Sequence, residues 1–506
     1  MSNSQQLFDL IKSLSKNEKR NFRLYAQLHS KKGTSSYLQL FDLLDKMKNY
    51  DESSIKELLT KKQKAAQFNP MVNYLFDVIV NSLSIYNNKN FIAFKLKKKV
   101  NNAFILRKKG LYKKSKKLLI SAKKEAFKIE DFTTLLEIYK LLIIDVPDIE
   151  RFKILEEMGL VIKKIENIHS YNKILTEMSS LFGKLHKARN PKDLKAIKEL
   201  LSSPLLNDEN LALSNNAKEL FHNIKSFYYF FSGDHQQALH HQKRTKNCFE
   251  SSPEFLKLNF NGYLQSINNI TTIYSRLNLH EKTKEMVGNL LLILNDKNIT
   301  DIPLKSKIFE IHASKTTDLA IKTGDYKNIH SFIPEIEKGL IKYKSNITPE
   351  NFIIIYTNIS IIYFNLEEYK KALAWLNKSE RYQKQMKRID ALTFIRLLNM
   401  LIHYEIGNKE LVTYMERSSR RYIKNQNQLF KTESILLHFF RVTVIKIETQ
   451  EDTLFAFKQL KAELNEVFKD PFESKLLEYF DFISWVNSKI QSRPFAEVLR
   501  EKINSK

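Results

Sequence analysis

An almost wholly α-helical fold is predicted by three features of the sequence. Apolar residues recur at helical spacing nearly throughout, glycine and proline number only 10 each in 506 residues, and no run of strict alternation marks a strand. In Leu7, Leu10, Ile11, Leu14 the steps are 3, 1 and 3, and in Ile353, Tyr356, Ile359, Tyr363 they are 3, 3 and 4, so each set lines one helix face. A hydrophobic fraction of 43% supplies a packed interior and excludes wholesale disorder.

Residues 1 to 90 carry apolar helical patterning without the repeat phase found further on, and predict a separate N-terminal helical cap. A helix-turn-helix can be drawn from Ser54 to Tyr86, turning at Phe68-Asn69-Pro70. Its second helix holds Met71, Val72, Tyr74, Leu75, Phe76, Val78, Ile79, Leu83, Ile85 and Tyr86 with no Lys or Arg, which suits a buried core helix and not a reader of the DNA major groove.

The next segment is the most basic. The chain carries +27 net, and residues 1 to 128 hold 28 Lys+Arg against 9 Asp+Glu, a net of +19. Residues 95 to 124 contain 13 basic side chains and no acidic one, with Lys97, Lys98, Lys99, Arg107, Lys108, Lys109, Lys113, Lys114, Lys116 and Lys117 as the candidate basic patch. Such a field attracts phosphate backbones, anionic lipid or an acidic protein surface. Lys outnumbers Arg 67 to 16, and Asn, Ile and Phe are also plentiful, as drift toward AT-rich codons would produce. Drift alone does not explain thirty residues without a carboxylate. The patch has one arginine, Arg107, where nucleic-acid sites favour the bidentate guanidinium.

From residue 91 to 506 the punctuation is periodic. Gly110, Gly233, Gly324 and Gly407 each follow one amphipathic segment and precede another, and Asn278 and Glu367 stand in turns of the same phase without glycine. The intervals from 233 to 278, 324, 367 and 407 are 45, 46, 43 and 40, and the span from 110 to 233 is three periods of 41. Breaks near Val146-Pro147 and Asn190-Pro191 fill that span, and turns near Thr449 and Ser492 extend the series. A period of 40 to 46 suits a repeat of two long helices.

The unit Tyr356-x-x-Ile359-Ser360-x-x-Tyr363-x5-Tyr369-x-x-Ala372 resembles the tetratricopeptide repeat. Tyr229, Gly233, Asp234 and Ala238 fit the same frame, as do Ile267, Ile270, Tyr274 and Val287, and Gly324, Asp325 and Tyr326. Thr283 and Ile329 replace the small Ala, Lys225 takes an apolar position, and the period exceeds 34, so the repeats are divergent and elongated. The resemblance is clearest over 215 to 420 and implies an all-α, right-handed α-solenoid of antiparallel two-helix TPR-like repeats. The N-terminal region resembles that of an uncharacterised bacterial group, which implies no function.

No motif for catalysis or metal binding stands out. Cys248 and His241 are seven residues apart, roughly 10.5 Å along a helix at ~1.5 Å per residue, too far for a thiolate–imidazolium pair. His235, His240 and His241 lack a carboxylate at metal-ligand spacing. Neither enzyme activity, a metal nor a cofactor is expected. The lone cysteine cannot close an internal disulfide, the N-terminus lacks a secretory pattern, and the apolar run 352 to 366 falls short of the ~20 residues of a transmembrane segment, so a cytoplasmic protein is expected.

What the resemblance implies about function is a concave groove lined by polar residues of the first helices. Carried over position by position, that stripe comprises Asn223, Asn268, Asn269, Arg276, Lys315, Lys322, Asn358 and Asn365. The asparagines could hydrogen-bond a peptide backbone, and the three cations could meet a carboxylate. A protein-interaction scaffold with a protein or peptide partner, including an acidic one, is the leading expectation. The alternative is a nucleic-acid-associated regulator using the basic 95 to 124 surface, and solvated ordinary helix faces remain the bland reading of the stripe.

Overall fold

The computed structural model describes residues 2–29, 36–53, 55, 68–87, 91–185, 195, 198–199, 201–297, 299, 301–386, 388–426, 429–443 and 448–504, and among these there is helix and no strand. The first helices are α1 (Asn3–Ser13), α2 (Lys16–His29), α3 (Ser36–Lys46), α4 (Phe68–Asn87), α5 (Ile92–Lys108), α6 (Tyr112–Lys128), α7 (Phe132–Leu142) and α8 (Asp148–Leu185). Next come α9 (Asn215–Ser232), α10 (His235–Glu250), α11 (Pro253–Leu258), α12 (Phe260–Arg276), α13 (His280–Asn295), α14 (Ile302–Thr323), α15 (Ile329–Lys342) and α16 (Pro349–Asn365). The last are α17 (Tyr369–Gln383), α18 (Ile389–Ile406), α19 (Lys409–Asn425), α20 (Lys431–His438), α21 (Gln450–Val467), α22 (Phe482–Gln491) and α23 (Phe495–Asn504). No helix among the described residues is long and apolar enough to cross a membrane.

The chain forms two compact units. One comprises residues 1–165 with 252–258 and 300–302, and the other comprises 166–251, 259–299 and 303–506.

In the first unit, α1, α2 and α3 pack on α4 around Leu7, Ile11, Phe22, Phe41, Leu75 and Ile79. Helix α2 starts where the sequence Ser15-x-x-Glu18 closes a reciprocal cap: the Ser15 amide donates to Glu18 Oε2 at 2.7 Å, and the Glu18 amide to Ser15 Oγ at 3.3 Å. The expectation of an all-round buried core helix is corrected at α4. Val72, Leu75 and Ile79 are buried, whereas Tyr74, Phe76, Val80 and Ile85 are exposed, because α1, α2 and α3 cover one face of it. The first part of the drawn helix-turn-helix lies outside the described residues. Beyond it, α5 pairs with α6 and α6 with α7.

In the second unit, helices neighbouring in sequence pack on one another: α9 on α10, α12 on α13, and α16, α17, α18 and α19 in succession. The turns fall where the sequence placed them. Gly110 in the first unit and Gly233, Asn278, Gly324, Glu367 and Gly407 in the second all adopt left-handed backbone, with φ of 75°, 91°, 55°, 62°, 61° and 93°. Ser492 does the same at φ 52°, and Thr449 caps α21 through a reciprocal bond with Asp452. The small residues also stand at helix crossings: Ser226 Oγ donates to the Ala238 carbonyl at 2.9 Å and Ser360 Oγ to the Ala372 carbonyl at 2.8 Å, both alanines being fully buried.

Two features depart from the periodic reading. From Asp148 to Leu185 a single helix of 38 residues runs unbroken, where a period of 41 suggests a helix pair; the break at Asn190-Pro191 lies outside the described residues. Past Glu473 the chain turns back on the middle of the second unit. The Phe495 amide donates to Glu367 Oε1 at 3.0 Å, Trp485 Nε1 donates to Glu405 at 2.7 Å, and Phe480 lies edge-on to Phe364 at 5.3 Å. That return positions the cavity described next.

Candidate functional site

Five of the eight stripe residues, Asn268, Arg276, Lys315, Lys322 and Asn358, line one cavity of about 270 Å³ in the second unit. Asn268 and Arg276 lie on α12, Lys315 and Lys322 on α14, and Asn358 on α16. The lining also includes Arg388, at the start of α18, and Glu478 and Tyr479 of the returning C-terminal segment. Ile353, Ile354, Ile361, Met386, Phe394 and Ile395 give the cavity an apolar part.

The charges are unequally matched. Arg276 pairs with Glu478 at 2.8 Å, and Lys322 Nζ reaches the Glu478 carbonyl at 3.5 Å. Arg388 pairs with Asp390 at 2.8 Å and donates to the Tyr479 hydroxyl at 2.7 Å, while that hydroxyl donates in turn to Asp390. Lys315 has no such carboxylate: among the described residues its ammonium has no ion pair, and it donates to Thr272 Oγ1 at 2.6 Å. Asp318 is held by the Ser275 hydroxyl at 2.7 Å. Burial pulls Lys315 below its ordinary value, opposed by the Asp318 charge and reinforced by Arg276; burial also lowers Lys322. Thr357 Oγ1, on the same wall, is buried with no hydrogen-bond partner among the described residues. The Asn358 amide already donates to Thr317 Oγ1 at 3.0 Å and the Ser314 carbonyl at 3.5 Å, so the groups suited to a carboxylate are the unpaired ammonium, the unpartnered hydroxyl and the Asn268 amide.

The other three stripe residues lie elsewhere. Asn365 is buried and donates to the Tyr326 hydroxyl at 2.5 Å, lining a neighbouring cavity of about 400 Å³. Asn269 accepts from Gln265 at 3.0 Å, and Asn223 is half-buried on α9. Arg388, Glu478 and Tyr479 escaped the sequence reading, since Glu478 lies 156 residues from Lys322 and no local pattern links them.

Histidine behaves differently from its sequence grouping. His241 meets His222, Nδ1 to Nδ1 at 3.0 Å, and stacks on Tyr229 at 5.5 Å between ring centres; His222 Nε2 is 3.3 Å from Glu209, which also pairs with Arg244 at 2.8 Å. His235 packs against Phe230 instead. Hairpin register could have found His222: with Ser226 opposite Ala238, stepping back four on α9 and forward three on α10 brings 222 to 241. Burial is the main cause that lowers His241 to about 4. Cys248 is half-buried, and burial, with Glu219 and Glu209 adding to it, raises its thiol to about 11, which keeps it from acting as a thiolate.

In the first unit the basic patch is partly neutralised by neighbouring helices. Lys97 pairs with Glu137 at 2.9 Å, Lys116 with Glu150 at 3.3 Å and Lys99 with Glu125, while Arg107 donates to the Leu141 carbonyl at 3.1 Å. Lys98, Lys108, Lys109, Lys113, Lys114 and Lys117 are exposed and have no ion pair among the described residues. The carboxylates come from 26 to 40 residues downstream, out of reach of a window along the sequence.

No family model matches the chain, and no curated protein matches it.

Proposed function

We propose that this protein is an interaction scaffold built of divergent TPR-like two-helix repeats, forming a right-handed α-solenoid, and that it recognises a partner through a carboxylate. The partner's acidic side chain or C-terminal carboxylate enters the cavity of the second unit, with its apolar neighbour against Ile353, Ile361 and Phe394. The observation that carries the reading is Lys315: a part-buried ammonium without an ion pair among the described residues, lining a cavity that also holds the Asn268 amide and a Thr357 hydroxyl with no partner among those residues. A cavity of about 270 Å³ suits one side chain or a chain end and not a long extended peptide. Arg276 and Arg388 already pair with Glu478 and Asp390, and Lys322 reaches the Glu478 carbonyl, so an added negative charge gains most beside Lys315.

The test is binding of the full chain to a library of short peptides, each made with a free and an amidated C-terminus and with Glu or Gln inside. Selection of carboxylate-bearing peptides is expected, with at least a tenfold loss in Lys315→Met and a smaller loss in Asn268→Ala. Lys315→Met keeps the side-chain length while removing a part-buried charge, so the fold should persist. Peptide selection indifferent to both substitutions would sink the proposal.

A further inference from the structure

The turn between α5 and α6 combines two properties that a soluble helix hairpin has no structural need to combine. Within six residues of Gly110, four large apolar side chains face solvent: Phe104 at 46% exposure, Ile105 at 56%, Leu111 at 45% and Tyr112 at 54%. Between and around them stand Lys108, Lys109, Lys113 and Lys114, all exposed and without an ion pair among the described residues. Segment 104–114 contains no acidic residue.

The clustering does not depend on long-range packing. Gly110 takes φ 75°, its amide donates to the Arg107 carbonyl at 2.9 Å, and the Leu111 amide donates to the Leu106 carbonyl at 2.9 Å, so the two helix ends are tied at the turn. The Ser115 hydroxyl bonds the Ala103 carbonyl at 2.7 Å and fixes the first contact between the helices. The buried side of α6, Ser115, Leu119, Ala122 and Ala126, runs at steps of 4, 3 and 4. Its opposite side, Lys113, Lys117, Ile120, Lys124 and Phe127, continues the same mixture of cations and apolar side chains away from the tip.

We propose that the α5–α6 tip docks on an anionic lipid bilayer, with Ile105, Leu111 and Tyr112 entering the headgroup region and Lys108, Lys109, Lys113 and Lys114 meeting lipid phosphates. Charge complementarity selects the surface: each unpaired lysine gains near an anionic leaflet, and exposed apolar side chains gain by leaving water at the acyl boundary. A nucleic-acid backbone would use the lysines but leave the apolar residues in water. The one arginine nearby, Arg107, is occupied by the Leu141 carbonyl and lies over the Tyr112 ring at 5.8 Å, so no free guanidinium fork is offered. The contact is peripheral, since neither α5 nor α6 is apolar enough to cross a bilayer.

The experiment is co-sedimentation of the full chain with vesicles of phosphatidylcholine alone and with about 30% phosphatidylglycerol, at roughly 50 and 300 mM salt, alongside a duplex-DNA shift assay. Expected are binding to the anionic vesicles at low salt, little to phosphatidylcholine, and at least tenfold loss both in Ile105→Ser/Leu111→Ser/Tyr112→Ser and in the four lysines changed to Gln. In Tyr112→Trp, added anionic vesicles should shift the emission to the blue, a readout that survives if a multiple variant fails to fold. Absence of vesicle binding at low salt overturns the proposal. So does vesicle binding undiminished by the apolar variant together with an unshifted Tyr112→Trp emission, which would mean adsorption by charge alone. A duplex shift abolished by the lysine variant, without vesicle binding, would assign the tip to nucleic acid.

Discussion

A hydrogen atom in place of a methyl group decides one helix contact in the second unit. A Cβ added at Gly339 on α15 would fall 2.1 Å from Phe309 Cε2, with both residues in the core. Gly339→Ala is expected to destabilise the fold. Overpacking costs ~1–3 kcal/mol, more than the ~1 kcal/mol that Ala gains over Gly in helix propensity. A urea midpoint equal to or above the parent's would contradict this. Titration offers a second case. Burial raises the Glu219 carboxyl to about 7, from 4.5 in the unfolded chain, so between those values the folded state binds the extra proton. Stability from this group is therefore present at low pH and lost as pH rises through about 7. Glu219→Gln should be more stable than the parent at about pH 8, with the gap closing by about pH 4.5, as read from denaturant curves. The lowered histidines work in the other direction: folded His241, lowered to about 4 from 6.5, loses its stabilising contribution as pH falls through that window.

Helix ends follow local rules that can be tested one turn at a time. Gly407 has left-handed backbone with open space, nothing within 4 Å, where a Cβ would stand, so Gly407→Ala meets only the backbone cost of about 1 kcal/mol. Asn278 holds the corresponding turn at φ 55°, and Asn278→Gly should gain a few tenths of a kcal/mol, since asparagine tolerates this region less well than glycine. Thermal melts of the two variants should move in opposite directions; parallel shifts would separate the two turns physically. At the α16–α17 crossing, Ser360→Ala removes the bond to the Ala372 carbonyl and is expected to cost about 1 kcal/mol.

For the molecule as a whole, charge and exposed apolar surface share an uneven distribution. Residues 1 to 128 carry +19 of the +27, and among the described residues most of the exposed large apolar side chains also fall before residue 165. With six exposed lysines of the patch unpaired among the described residues, like-charge repulsion is expected to exceed what the exposed ion pairs return, each such pair being worth ~0.2–1 kcal/mol. Raising salt from roughly 50 to 300 mM should therefore increase hydrogen-exchange protection in α5 and α6, because screening acts first on the unpaired lysines. Reduced protection would mean that the pairs Lys97–Glu137 and Lys116–Glu150 dominate instead.

The all-helical class and the positions of the turns were legible because they rest on interactions between residues a few places apart. Helical spacing of apolar residues, the left-handed backbone at Gly110, Gly233 and Gly407, and even the same role for Asn278 and Glu367 follow from that local physics. Asn268, Arg276, Lys315, Lys322 and Asn358, grouped from the resemblance to a repeat frame, line one cavity. What the frame could not supply was the partial neutralisation of the basic segment by Glu137 and Glu150, or the closing of the stripe by Arg388, Glu478 and Tyr479. Those depend on the C-terminal return and on helix faces meeting across long separations. Their contacts are set by the packing of whole helices, where the free energy of burying a distant segment outweighs any preference written in its neighbours.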